Sequence, residues 1–141
     1  ETGTDMTKWP TAKHFGSWLG LAPGTKISGG KRLSSKTKPS SNRAATMLRM
    51  AASTLHRSHS ALGGFFRRQK SKLGSPKAIT ATAYKIARLL YAMLRYGQEY
   101  VDVGMDYYET QYQGRVLNNL TKKAKILGFQ LVPLEVTEKV P

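Results

Sequence analysis

The chain has 141 residues, with 23 Lys+Arg against 8 Asp+Glu, a formal net charge of +15 and a pI near 10.3. That balance favours a polyanionic partner, nucleic acid ahead of an anionic membrane surface, and the 40% hydrophobic content suits a chain that buries a core. Cysteine is absent, which excludes disulfides, zinc fingers and thiol catalysis, and no apolar run approaches the roughly 20 residues of a membrane span.

The charge is unevenly placed. Residues 6–98 hold 18 of the 23 Lys+Arg and no carboxylate, because the acids stop at Asp5 and resume at Glu99. Such a stretch cannot build a carboxylate-held metal site by itself, but it can bind polyanions. The length predicts one domain, and the absence of a leader-like start predicts a cytoplasmic protein. The opening Glu1-Thr-Gly-Thr-Asp-Met reads as the interior of a longer chain.

In chain order, Pro10 suits the first turn of a short helix through Leu19, with Phe15, Trp18 and Leu19 on an apolar face and Gly20 as the stop. Residues 22–40 hold Gly24, Gly29, Gly30 and two prolines among basic residues without apolar periodicity, the pattern of a long functional loop. Ser40 or Ser41 would cap a helix from Asn42 to about Leu62, interrupted at Gly63-Gly64. A short basic helix from Phe65 to Leu73 follows, closed by Gly74.

The best-defined helix opens at Pro76 and ends before Gly97, with Ile79, Ala83, Ile86, Leu90 and Leu94 as its apolar stripe. A second stripe, Lys77, Tyr84, Arg88, Tyr91 and Arg95, interleaves basic and aromatic groups on an outer face. Tyr84 and Tyr91 would there stack on bases, or else bury against the C-terminal helix. That last helix runs to about Leu127 with Tyr108, Tyr112, Leu120, Ala124 and Leu127 inward, and Phe129 to Pro141 reads as an extended tail. The fold class is therefore mainly α, a compact helical domain with a long Gly/basic loop near the N-terminus and a C-terminal helical extension.

The loop resembles a phosphate-binding P-loop only superficially: after Gly24 and Gly29 comes Gly30 instead of lysine, and Arg32 replaces the magnesium-binding hydroxyl residue. Gly29-Gly30 instead permits a strained turn that brings Ser28 close to a ligand, with Lys26, Lys31 and Arg32 flanking it. Ser28 is then either a nucleophile in positive surroundings or only a turn residue. Lys36, Lys38, Asn42, Arg43 and Arg49 lead into the next helix and would hold backbone phosphates, or form a solvated basic face. His56 and His59 have a metal-compatible spacing without a carboxylate or cysteine at hand, and no metal ligand is assigned.

Taken as an ordered series, Phe15-Gly-Ser-Trp-Leu-Gly-Leu-Ala-Pro23, Ile27-Ser-Gly-Gly-Lys31, Asn42-Arg-Ala-Ala and Leu48-Arg49 resemble the C-terminal transposase domain of the insertion-sequence 110 family, the 116/110/902 group. Pro76-Lys-Ala-Ile-Thr-Ala-Thr-Ala-Tyr-Lys-Ile-Ala and Tyr96-Gly97 with Tyr100 resemble its following segment, so the likeness covers residues 1–101, leaving 102–141 as a C-terminal helix and tail. The segment Ser35-Lys-Thr-Lys-Pro39 departs from the family's Lys-x-Gly pattern.

The resemblance implies that Ser28 attacks a DNA phosphodiester to form a phosphoserine intermediate during transposition. It further implies a guide (bridge) RNA, a homo-oligomer in the intact enzyme, and a divalent metal, Mg, held by an N-terminal RNase-H-like domain that this sequence lacks. The chain alone is then expected to be inactive, a transposase fragment acting at nucleoid DNA with no membrane partner. The alternative is a non-catalytic helical DNA- or RNA-binding module.

Overall fold

In the computed structural model, which describes residues 2–134, the longest core helix is α4 (Ser75–Tyr96). Pro76 occupies its first turn, where a missing N–H costs nothing, and Gly97 closes it with a left-handed φ of 64° and an N–H donated to Met93 O. Around it pack α1 (Ala12–Trp18), α2 (Arg43–Thr54) and α3 (Ala61–Leu73), while α5 (Gly104–Ile126) lies on α3. Among the described residues the only sheet is the antiparallel pair β1 (Lys26–Ser28) and β2 (Lys31–Ser34), so the mainly α class expected from periodicity is what the chain adopts.

The core is made from separate parts of the sequence. Met6, Phe15, Leu19 and Leu21 meet Ala45 and Ala52 of α2 and Ala83, Ala87 and Tyr91 of α4, all buried. Most of the large side chains come from the N-terminal segment and each contributes about 1.5–3 kcal/mol on burial. The alanines let α2 and α4 approach closely around them. Trp9 adds an edge-on contact to Phe15, with ring centroids 4.9 Å apart.

Tyr91 is the clearest departure from the periodic reading. It is 2% exposed, and its hydroxyl donates to the Trp9 carbonyl at 2.8 Å. Arg95 donates to the Met6 carbonyl at 3.3 Å, so these two members of the expected outer stripe tie residues 6–9 to the end of α4, while Lys77 and Arg88 are exposed. Tyr84 likewise packs on α1, at Gly16, and not on the C-terminal helix. Of the predicted apolar stripe Ala83 is fully buried and Ile79 and Ile86 flank the core, but Leu94 is 40% exposed. A helix covered by neighbours on several sides buries whichever faces they meet, small or aromatic, and not simply its most aliphatic one.

Three further boundaries differ from expectation. The cap of α2 is Asn42, whose Oδ1 accepts from the amides of Ala44 and Ala45, while Ser40 Oγ accepts from the Asn42 amide one step earlier. The helix ends at Thr54 and a 3-10 turn, Leu55–Arg57, leads into Ser58 to Ser60, where Ser60 caps α3. Gly63-Gly64 lies inside α3 and does not interrupt a helix: the Ser58 carbonyl sits where a Gly63 side chain would be, so the glycine allows a close approach within a regular turn.

In α5, Tyr108 and Tyr112 turn toward α3 as expected, whereas Leu120 and Leu127 are 48% and 73% exposed because no described element covers the distal half of the helix. After the helix, residues 129–134 have no regular structure, and the remainder of the expected tail lies outside the described residues.

Candidate functional site

The segment from 22 to 40, expected to be a loop, contains a β-hairpin. Gly29 and Gly30 form its two-residue turn with φ of 56° and 75°, the doubly positive pattern of a type I′ turn that follows the right-handed strand twist. Side chains disfavour that conformation, which explains two consecutive glycines. The register pairs Ser28 with Lys31 and Ile27 with Arg32, and an irregularity next to Lys26 shifts its partner to Ser34. Cross-strand partners project to one face, so Lys31 lies beside Ser28 and Arg32 beside Ile27 on the other.

Every residue of β1, the turn and Lys31 to Leu33 is exposed, including Ile27 at 67% and Leu33 at 69%. The hairpin makes no extensive contact with any helix. Its base is pinned instead, by the Gly24 amide donating to the Lys36 carbonyl at 3.1 Å and by the bridge between Pro23 and Thr37. Ser28 therefore stands at the tip of an anchored arm, and among the described residues no side chain hydrogen-bonds its hydroxyl.

Around this arm the sequence-derived cations fall into two groups. Lys26, Lys31 and Arg32 are on the hairpin, and Lys36 and Lys38 are on the segment leading away from it. Asn42 is committed to capping through its oxygen, Arg43 opens the first turn of α2, and Arg49 is half-buried two turns further along. The α2 N-terminus follows this basic segment directly in the chain, and the helix dipole adds to the positive charge there.

Nothing here supplies a metal ligand set. Among the described residues no group of three or more His, Asp or Glu side chains converges, and His56 and His59 have no carboxylate partner. Two of the acids are engaged elsewhere: Asp102 accepts from the Ala61 amide at 2.9 Å, and Glu109 pairs with Arg68. Among the described residues no side-chain cluster is therefore arranged as a metal ligand set.

Two cations outside the sequence-derived set, Lys85 and Arg115, line a cleft between α3, α4 and α5 together with Arg68, Tyr108 and Tyr112. Their signal was present as Tyr108, Tyr112 and Arg115 at i, i+4 and i+7 on one helix face, but the partner helix could not be read from that spacing.

No helix of the described residues is long and apolar enough to cross a membrane. No curated protein and no solved structure matches the chain. Residues 1–67, which include α1, the hairpin with Ser28, and α2, match the family described as Transposase IS116/IS110/IS902 family, and this similarity supports a DNA transposase or recombinase role.

Proposed function

We propose that the chain is the serine-bearing part of a DNA transposase, and that Ser28 is its nucleophile. The observation that carries the reading is the exposed hydroxyl at the tip of a glycine-turned, cation-flanked hairpin that lies inside the transposase match. In the reaction, Ser28 Oγ forms a bond to the DNA phosphorus, loses its proton, and one strand end leaves as a hydroxyl. The phosphoserine keeps the phosphodiester's free energy, so a strand hydroxyl can reseal the backbone by the reverse displacement without an external energy source. Lys31 on the same hairpin face stabilises the developing charge on phosphorus, and Lys26, Arg32, Lys36, Lys38, Asn42, Arg43 and Arg49 hold flanking phosphates.

Among the described residues no side chain hydrogen-bonds the Ser28 hydroxyl to take its proton. The base and the divalent metal are assigned to an acidic RNase-H-like domain outside this sequence, and guide RNA and homo-oligomerisation belong to that intact enzyme. The test is Ser28→Ala in the full-length enzyme: detergent-resistant protein-DNA adducts and excision should vanish while DNA binding persists. Adducts that persist in the variant would rule out Ser28 as the nucleophile. The acid-free basic run from residue 6 to 98 also fits a second reading, a non-catalytic nucleic-acid-binding module, which predicts no adduct with either protein and salt-dependent binding that Ser28→Ala leaves unchanged.

A further inference from the structure

A cleft of about 310 Å³ is lined by α3, α4 and α5 and by no residue of the hairpin. Three cations face it. Arg68 is locked in place, ion-paired to Glu109 with its guanidinium 3.4 Å above the Tyr112 ring, and its Nε is enclosed without a hydrogen-bond partner. Lys85 Nζ lies 4.2 Å from the centre of the Phe65 ring and 5.7 Å from that of Tyr108. Arg115 rises from α5 on the same wall.

Charge does not balance around the cleft. The neighbouring carboxylate, Glu109, is taken by Arg68, and among the described residues neither Lys85 nor Arg115 has an ion-pair partner. Lys85, half-buried beside aromatic rings, is repelled by the exposed Arg115, an arrangement that an anion relieves. Burial, then Arg115 and Arg88, hold the Lys85 ammonium below the usual lysine range, in keeping with that repulsion. Gln69 and Asn119 add amide donors to the lining.

We propose that this cleft binds a backbone phosphate of single-stranded nucleic acid, with Lys85 and Arg115 as the phosphate ligands and Tyr108 and Tyr112 as the aromatic wall beside the sugar and base. The combination of cations and aromatic faces is that of single-strand binding grooves, and a cleft this size bounded by three helices does not admit a duplex. Arg68 acts as a positioning residue, because its salt bridge holds α5 against α3 and so sets the cleft's width.

The experiment is fluorescence anisotropy of a labelled oligothymidylate with the full chain across a salt series. Arg115→Gln, at an exposed position, and Lys85→Gln should each weaken binding and flatten the logarithmic salt slope by about 0.7 for each phosphate that the variant no longer neutralises, while Lys85→Arg retains it. Ring-proton NMR signals of Tyr108 and Tyr112 should shift on adding the oligonucleotide, equally in the Ser28→Ala protein, so the outcome is separate from that of the hairpin. An unchanged slope in both glutamine variants overturns the site. A duplex of equal affinity that shifts the same tyrosine signals overturns the single-strand assignment.

Discussion

Replacing Gly29 and Gly30 with valine separates the presentation of Ser28 from the stability of the helical body. Both glycines have positive φ, 56° and 75°, where a β-branched residue is strained by about 1–2 kcal/mol, or about 2–4 kcal/mol for the pair. The hairpin has little to set against that cost, because its residues are exposed on both faces and two strands alone are marginal in water. The double variant Gly29→Val, Gly30→Val should therefore lose the pairing of Ile27 with Arg32 and of Ser28 with Lys31. The hairpin stands outside the core that α1, α2 and α4 share, so the body should keep its melting temperature to within about two degrees. Cross-strand nuclear Overhauser effects and amide exchange over residues 26–34 report the first outcome, and circular dichroism melting the second. A retained register, or a loss of thermal stability as large as that of a core variant, would refute the reasoning, since either means the arm is held by packing and not by its turn.

The other expectations concern the body and the cleft. Phe15→Ala empties a site with no solvent exposure and removes the ring contact to Trp9, so urea unfolding should show a loss of about 3–5 kcal/mol. Tyr91→Phe leaves the Trp9 carbonyl without its donor and should cost about 1–3 kcal/mol in the same assay; a change near zero would mean that water replaces the hydroxyl. Lys85 should titrate below the other lysines in a lysine-selective NMR experiment, because burial and then its cationic neighbours disfavour its charge. Its folded pKa is below the unfolded one, so the charged ammonium opposes folding at lower pH, and stability should rise as pH increases through the folded value toward the unfolded one. Arg115→Gln should move that titration upward.

How much of this was legible in the sequence follows from what each signal depends on. Helix α4 was readable at both ends, since Pro76 and Gly97 act through local backbone geometry, and Gly74 marked the end of α3 for the same reason. The turn at Gly29-Gly30 beside Ser28 was readable too, because a two-glycine turn is a short-range property, although its strands were not: Ile27 and Leu33 carry no alternating buried face to announce them. The acid-free basic run and the placing of Ser28 among cations are properties of composition and order, and no fold was needed to see them. Only the tertiary structure decided which faces are buried. Tyr91 enters the core because residues 6–9 return to the end of α4, Gly63 stays helical because Ser58 passes over it, and Leu120 stays exposed because no described element packs on distal α5. It also brought Lys85 and Arg115 into one cleft from two different helices, a convergence that periodicity along a single helix does not encode.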